Sequence, residues 1–244
     1  MKVISEKNIK YLGKCVLIEE GKEKVLAVGD IHIGYGKQGE AYGAMVDESL
    51  YNEMIHDFEE IFSYTEKIDK IILLGDLKHS FSGLEKGEKY DLVNLFDYLE
   101  KKCKEIIVTK GNHDNYLLEV TSGRGIRVTE NYIWKGYCFF HGDRDLLAIH
   151  AREVKCWLMG HMHPAVKLRE ETKMEKYKCF LSGEFEGRKV IILPCFADAG
   201  EGIDAREIEK EIAWNLDLGK FDVYVVGEGL EVLGFGKLNK IREK

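Results

Sequence analysis

Residues 71–80, IILLGDLKHS, decide the fold, because a run of apolar residues leads directly into Gly75, the carboxylate Asp76 and then His79. The length and β-branched content of the run predict a strand that is buried on both faces. A carboxylate at the end of such a strand belongs either to a turn that reaches solvent or to a metal-binding or catalytic site held by the strand. Only recurrence of the same arrangement elsewhere in the chain separates these alternatives.

The arrangement does recur. Short apolar runs at residues 16–18, 25–28, 106–108, 137–140, 156–159 and 190–193 also predict strands. Acids, an amide and imidazoles follow five of the predicted strands: Asp30 and His32; Asp76 and His79; Asn112, His113 and Asp114; His141; His161 and His163. Ligands of open α/β sheets bind beyond the carboxyl ends of the strands, so these side chains are predicted to form one cluster. The glycines before Asp30, Asp76, Asn112 and His161 are predicted to allow the sharp turn out of each strand.

Helices and hairpins are predicted around these strands. Apolar residues near a 3.6-residue period predict amphipathic helices over residues 45–62 and 91–99. Asp204, three residues before Glu207, matches a capping box and predicts a helix start. The segment IEEGKEKV predicts a hairpin turn at Gly21, and the alternating residues 220–238 predict a terminal hairpin. Strand–helix alternation followed by strands indicates a layered α/β domain whose second half is mostly β.

Length, charge and cysteine content narrow the class of protein. The chain has 244 residues, 45% of them hydrophobic, and no stretch approaches the roughly 18 continuous apolar residues of a membrane span. Six scattered cysteines without a CxxC pair favour buried, reduced thiols, so a cytoplasmic location is expected. The net charge of −7 argues against a surface coated in basic residues for non-specific nucleic-acid binding, and it is compatible with a local basic groove.

The side chains of the predicted cluster are typical metal ligands. Two aspartates, one asparagine and four histidines (His32, His141, His161 and His163) mix oxygen and neutral nitrogen donors without a thiolate. Such a set suits Mn²⁺ best, with Fe²⁺, Zn²⁺ or Ni²⁺ as alternatives, and does not suit Ca²⁺ or a soft metal. These donors are too many for one ion, so two ions that share a carboxylate, about 3.5–4 Å apart, are predicted.

The ordered motifs DxH, GD, GNHD, H and GHxH run from Asp30 to His163. They resemble the signature of the calcineurin-like metallophosphoesterase superfamily, and all five blocks are present. The resemblance implies an α/β fold, a four-layer α/β/β/α sandwich of two mixed β-sheets flanked by helices, with residues 1–244 as a single domain. It also implies a metal-dependent phosphoric ester hydrolase.

Carried over residue by residue, the resemblance implies a role for each motif residue. Asp30, His32 and His163 would bind the first ion, Asn112, His141 and His161 the second, and Asp76 would bridge the two. His113 would contact the substrate phosphate and protonate the leaving oxygen. The two ions would lower the pKa of a bridging water, so that its hydroxide attacks phosphorus.

His79 indicates the class of ester. A histidine three residues after the bridging aspartate, together with DIHIGY at the first motif, resembles the SbcD-type repair nucleases, in which this histidine assists phosphodiester cleavage. The segments GHMHPAVKL and VIILPCFADAG are more similar to compact ICC-like phosphoesterases. A phosphodiester substrate is therefore expected, with nucleic acids and nucleotides as the candidates. The alternatives are a phosphomonoesterase for a small molecule and a metal-binding interaction scaffold without activity.

Several other residues have two interpretations. Basic side chains outside the motifs are candidate phosphate contacts or, alternatively, solvated surface charges: Lys78, Arg124, Arg127 and Arg144. Asp114 either orients His113 in catalysis or caps the helix suggested by NYLLEV.

Overall fold

The computed structural model describes residues 2–35, 48–81, 83–170, 173–198, 200–208 and 214–241. The strands of the first sheet are β1 (Ile4–Glu6), β2 (Ile9–Leu12), β3 (Cys15–Glu20), β4 (Glu23–Val28), β5 (Ile68–Leu73), β6 (Cys103–Thr109) and β7 (Arg127–Thr129). The second sheet contains β8 (Asn131–Trp134), β9 (Tyr137–Phe140), β10 (Cys156–Met159), β11 (Pro164–Glu170), β12 (Lys173–Phe185), β13 (Arg188–Ile192), β14 (Ile203–Asp204), β15 (Asp222–Val226) and β16 (Val232–Lys237). The helices are α1 (Glu48–Thr65), α2 (Lys86–Leu99) and α3 (Leu118–Thr121).

Both sheets are mixed. The first has the order β1-β2-β3-β4-β5-β6-β7, antiparallel as far as β4 and parallel from β4 to β7. The second has the order β14-β11-β12-β13-β10-β9-β8, with β15 and β16 joined through β12; β9, β10 and β13 are parallel to one another, and β11 is parallel to β14. The carboxyl ends of β4, β5 and β6 therefore share one edge of the first sheet, as those of β9 and β10 do in the second.

The two sheets pack face to face through buried apolar side chains. This inner layer includes Tyr11, Val16, Val25, Ile72 and Ile107 of the first sheet and Phe139, Leu158, Phe180 and Ile191 of the second. Successive side chains along each strand alternate between this layer and the outer faces, as in Val25 to Val28 of β4. The predicted two-sheet sandwich is confirmed.

The outer faces are covered differently. Leu17 and Leu26 on the first sheet pack against Phe58 of α1 and Phe96 of α2. On the outer face of the second sheet, the described chain contributes 3-10 turns at Leu147–His150 and Leu218–Lys220, which pack together with Trp214 over Trp157. In the described residues, the fourth layer of the sandwich is thus built from short turns.

The predicted helices form with shifted ends. The helix predicted over residues 45–62 is α1, whose apolar stripe includes Met54, Phe58 and Ile61; Met45 lies outside the described residues. The second predicted helix is α2, which begins five residues earlier than expected at Lys86, because Glu85 and Glu88 form a capping box there. None of the described helices has the length and apolar character to cross a bilayer.

The late helix predicted to start at Asp204 does not begin there. Asp204 ends β14, and its carboxylate accepts hydrogen bonds from the backbone and guanidinium of Arg206. Residues 209–213 of that predicted helix lie outside the described residues. Both predicted hairpins are confirmed: β3 and β4 turn at Gly21, whose φ is 67°, and β15 pairs antiparallel with β16.

Candidate metal centre

The predicted cluster lies where the parallel strands of both sheets end. Its acids, amide and imidazoles come from five loops, one each after β4 (Asp30, His32), β5 (Asp76), β6 (Asn112, His113), β9 (His141) and β10 (His161, His163). Each strand delivers its polar residue immediately after a buried apolar stretch, so the side chains turn toward the space between the sheet edges. The structure brings all seven predicted metal ligands together.

Asp30, His32 and His163 form the first group of donors. The carboxylate of Asp30 is fully buried, and its Oδ1 lies 3.3 Å from Nε2 of His163. Nε2 of His163 in turn lies 3.2 Å from Nε2 of His32. One ligand atom from each of the three residues lies within 4.8 Å of the others, a spacing that allows all three to bind one cation.

Asp76, Asn112, His141 and His161 form the second group, centred on Nε2 of His141. This atom lies 3.1 Å from Oδ1 of Asn112, 3.1 Å from Nδ1 of His161 and 3.4 Å from Oδ2 of Asp76. Nδ1 of His141 is 2.8 Å from the carbonyl oxygen of Leu74 and donates its proton there. The tautomer of His141 is thereby assigned, and Nε2 is the atom that faces the group.

The chemistry of this donor set fits a divalent cation. A second proton on His141, carried by Nε2, satisfies one of the facing acceptors at a time, whereas a cation satisfies the unprotonated nitrogen and both oxygens together. A cation would also satisfy the facing Nε2 atoms of His32 and His163, which repel each other when both present lone pairs. Oxygen and imidazole donors without a thiolate suit Mn²⁺, Fe²⁺, Ni²⁺ or Zn²⁺.

The carboxylate of Asp76 lies between the two groups. Its Oδ2 is 3.9 Å from Nε2 of His32, on the side of the first group, and 3.4 Å from Nε2 of His141 in the second. Its Oδ1 accepts a hydrogen bond of 2.9 Å from the backbone N–H of His113. Asp76 is therefore the carboxylate best placed to contact cations in both groups.

Unusual backbone conformation is concentrated on the donor residues themselves. His32, Asp76, His161 and His163 all have positive φ angles, between 44° and 68°. For residues with a side chain this left-handed region costs about 1–2 kcal/mol each, and such strain is characteristic of functional sites. Of the glycines predicted to allow the sharp turns, Gly75 has a left-handed φ of 91°, and Gly29, Gly111 and Gly160 do not.

Gly29, Gly111 and Gly160 are required because a side chain at these positions would collide with a neighbouring loop. A Cβ on Gly111 would lie 2.2 Å from Oδ1 of Asp76, and one on Gly160 would lie 2.4 Å from Oδ2 of Asp30. A Cβ on Gly29 would lie 2.4 Å from the carbonyl oxygen of Pro194. The absence of a side chain lets one loop approach the carboxylate of the next.

Replacing Gly111 by alanine is therefore expected to displace Asp76 and to lower kcat on a phosphoester by about 10²-fold, the cost of a misplacement of roughly 1 Å. The φ of Gly111 lies outside the left-handed region, so the effect is steric and not one of backbone strain. Steady-state kinetics with added Mn²⁺ measure it. The matched control is Gly83→Ala, because a Cβ at Gly83 meets nothing within 4 Å; equal activity of the two variants would contradict the steric argument.

The centre combines ionised acids with imidazoles of different basicity. Burial disfavours the charge of Asp30, but His163, His141 and His32 outweigh it and lower the pKa of the carboxyl. Burial lowers the pKa of His32 to about 4, whereas at His141 the carboxylates of Asp76 and Asp30 overcome burial and raise the pKa to about 9. Since metal binding requires neutral imidazole, protons and cations compete for His141.

The two histidines with predicted catalytic roles lie side by side at the rim of the centre. Nδ1 of His113 is 2.5 Å from the backbone carbonyl oxygen of His79, and its Nε2 is 3.8 Å from Oδ2 of Asp76. The rings of His79 and His113 are stacked with centroids 5.7 Å apart. His32, His79 and His113 also form a possible donor group of their own, so the geometry allows His79 to touch either a substrate or a cation.

Asp114 has a role that neither sequence interpretation predicted. Its carboxylate is buried and accepts hydrogen bonds of 2.9 Å from the backbone N–H groups of Leu77 and Gly111. Helix α3 begins later, with Leu117 as its N-cap, and Nδ1 of His113 faces His79 instead of Asp114. Asp114 therefore ties together the loops that follow β5 and β6, and burial raises its pKa to about 6.

Two of the basic residues predicted to contact phosphate form ion pairs with carboxylates, and a third is buried. Arg124 pairs with Asp97 and Glu100 beside α2, and Arg144 pairs with Glu130 and Asp143. Lys78 is completely buried, so its interpretation as a phosphate contact is wrong.

Two aromatic residues at the rim were not recognised from the sequence. The ring of Tyr35 lies edge-on to His79 with centroids 4.8 Å apart, and Phe81 lies against His113. Both are unusually exposed for aromatic residues, at 47% and 60%. Each follows a donor residue within a few positions in the chain, and this proximity was the only available signal.

The chain is similar to one known protein family and to several solved structures. The family described as calcineurin-like phosphoesterase matches residues 23–227. The crystal structure of Pseudomonas putida nuclease MPE is similar with a TM-score of 0.64 at 17% identity, covering 95% of this chain and 99% of that one. Wild-type Vps29 complexed with Zn²⁺ from Entamoeba histolytica has a TM-score of 0.40 at 16% identity, covering 87% of this chain and 99% of that one. A comparison with curated protein sequences returned no match.

Proposed function

The chain belongs to the calcineurin-like phosphoesterase family, and on that premise we propose that it hydrolyses phosphodiester bonds with the aid of two divalent cations. The observation that carries the proposal is the position of the Asp76 carboxylate, which faces His32 of one donor group and His141 of the other. A carboxylate that faces both donor groups can bridge two cations held about 3.5–4 Å apart.

The ligand assignment follows the two donor groups. Asp30, His32 and His163 would hold one cation, Asn112, His141 and His161 the other, and Asp76 would contact both. Mn²⁺ is the favoured ion on the grounds of donor type, and Fe²⁺, Zn²⁺ and Ni²⁺ are the ions to compare with it. When bound, such ions neutralise charge on the phosphoryl oxygens and lower the pKa of water.

The chain's own residues supply orientation and a proton. With Nδ1–H of His113 donating to the His79 carbonyl, the second proton of the imidazolium form sits on Nε2; this proton would pass to the leaving oxygen of the ester and leave the neutral ring behind. His79 is proposed to contact the second ester group of a diester, and the stacking of its ring on that of His113 supports this role. Arg124 and Arg144 remain predicted phosphate contacts, and each would first have to leave its carboxylate partner.

Nucleotides and nucleic acids are the proposed class of diester. The exposed faces of Tyr35 and Phe81 stand beside His79 and His113, and stacking of a base on an aromatic face contributes about 1–3 kcal/mol. The similar fold of a protein described as a nuclease is in keeping with this class. A phosphomonoester of a small molecule is the competing substrate, since the two donor groups alone would serve it equally well.

A direct comparison of two chromogenic esters tests the proposal. In the presence of Mn²⁺, turnover of bis-p-nitrophenyl phosphate is expected to exceed that of p-nitrophenyl phosphate. His79→Ala is expected to lower the diester rate selectively, by up to about 10²-fold, because the ring proposed to position the second ester group is lost. His56→Ala, an exposed histidine on α1, is the control. Faster turnover of the monoester by the wild type would contradict the diester preference, and bound metal without turnover of either ester would support an interaction scaffold.

We further propose a single domain over residues 1–244 and a cytoplasmic location. Each donor group contains residues from both sheets, and the two sheets share one apolar layer. Both observations support a single folding unit. All six cysteines are free, and burial raises the pKa of the Cys138 and Cys156 thiols to about 12, in keeping with a reducing compartment.

A further inference from the structure

We propose that Lys78 and Glu88 are positioning residues that fix the orientation and tautomer of His113 through the peptide groups around Ser80. This inference rests on the proposed phosphoesterase function. It assigns a role to two buried, oppositely charged side chains that lie outside both donor groups. Neither side chain touches the reacting atoms, so both act through His113.

The first step is the contact that orients the ring. Nδ1 of His113 is 2.5 Å from the backbone carbonyl oxygen of His79 and donates its proton there. In a neutral imidazole this donation places the lone pair on Nε2, the atom nearest Asp76. The direction of a single carbonyl group therefore decides which nitrogen of His113 faces the centre.

The second step is the way in which that carbonyl is held. The backbone of Ser80 is bound on both sides: Glu88 Oε1 accepts a hydrogen bond of 2.8 Å from the N–H of Ser80, and Lys78 Nζ donates to the carbonyl oxygen of Ser80. The N–H of Ser80 and the carbonyl of His79 belong to the same peptide plane. Glu88 thus orients directly the carbonyl that His113 uses.

The third step is the cost of this arrangement. The side chain of Lys78 is completely buried and that of Glu88 is 2% exposed. Burying such charges costs several kcal/mol per ion unless they are paired and hydrogen-bonded, and apolar residues of similar size are often at least as stable. Stability alone therefore gives little reason for this pair, whereas a requirement for one loop geometry does.

Glu88 also connects this loop to the first donor group. A Cβ on Gly34 would lie 2.6 Å from Cγ of Glu88, so the glutamate packs directly against the loop that carries His32. Glu88 additionally accepts from the N–H of Glu85 in the capping box of α2. A purely structural role as a helix cap is the rival hypothesis, and it predicts lost stability without any selective effect on proton transfer.

The test uses Lys78→Met, Glu88→Gln and Glu88→Ala, with Lys89→Met as the matched control, because Lys89 is exposed on α2 and pairs with Glu119. Aryl phosphodiesters with leaving groups from p-nitrophenol to phenol are compared with Mn²⁺ present. Lys78→Met and Glu88→Ala are expected to lower kcat on the phenyl ester about tenfold more than on the p-nitrophenyl ester, since only the poorer leaving group needs the proton. Glu88→Gln, which keeps the acceptor oxygen, is expected to restore most of the rate.

Two further measurements make the outcome decisive. In a His113→Ala background, Lys78→Met is expected to have no additional effect on kcat, because residues that act as one unit are not additive. Nitrogen-15 NMR of the His113 ring at fixed pH, without added metal, is expected to show the Nδ1–H tautomer in the wild type and a mixture in Lys78→Met. Additive losses, a uniform effect across leaving groups or an unchanged tautomer would overturn the inference. If the wild type does not hydrolyse diesters, the proposed function is refuted. The NMR measurement then still tests whether Lys78 fixes the tautomer of His113.

Discussion

Asp76→Ala is expected to abolish high-affinity binding at both metal positions and to reduce phosphodiester hydrolysis to background. Oδ2 of Asp76 faces Nε2 of His32 and of His141, so its removal takes one ligand from each donor group at once. Loss of an outer-shell partner alone typically weakens metal affinity by about 10–100-fold, and loss of a shared ligand should exceed that range. Mass-spectrometric metal analysis after reconstitution with excess Mn²⁺ measures the number of ions per chain.

A second variant separates ligand loss from damage to the backbone. Asp76 has a φ of 47° and accepts the N–H of His113, so alanine adds strain and removes a hydrogen bond. Asn tolerates the left-handed region and keeps an acceptor oxygen, so Asp76→Asn should melt like the wild type and still bind fewer than two ions. Asp97→Ala, which removes a carboxylate paired with Arg124, is the control. One fully retained ion in Asp76→Ala would show that Asp76 is not the essential bridge.

The strands that deliver the donors could be predicted because they are buried on both faces. Residues 71–74 and 156–159 are continuously apolar, and apolar runs of that length are typical of strands covered on both sides. The long strand β12 could not be predicted in the same way. Its first half, from Lys173, is mostly polar and exposed or half-buried, and it becomes a strand through pairing with β11. Pairing with the preceding strand overrides local preference there.

The types of donor could be predicted because few side chains bind divalent cations, and five strand ends carry them. The connections between loops could not. Asp114 binds the N–H of Leu77, 37 residues away, and Lys78 is buried beneath a loop whose path depends on α2. The positive φ angles of His32 and Asp76 likewise follow from how the loops meet. A linear sequence does not display such contacts.

His113→Ala is expected to leave the metal content unchanged and to lower kcat by about 10²–10⁴-fold, the usual contribution of a positioned general acid. The ring's Nε2 lies 3.8 Å from Oδ2 of Asp76, outside the two donor groups that contain the predicted ligands. The backbone N–H of His113, which holds Oδ1 of Asp76, is kept in the variant. The shared carboxylate should therefore stay in place while the proton donor is lost.

The dependence on the leaving group identifies the role. If His113 donates a proton, the loss should be large for phenyl esters and small for p-nitrophenyl esters, whose leaving group departs without a proton. His32, His79 and His113 also form a third possible donor group, which gives a specific alternative. On that alternative, His113→Ala and His79→Ala would both lower the metal content, and the loss of rate would be equal for all esters. Retained metal together with a leaving-group-dependent loss is the result that only a proton-donating His113 produces.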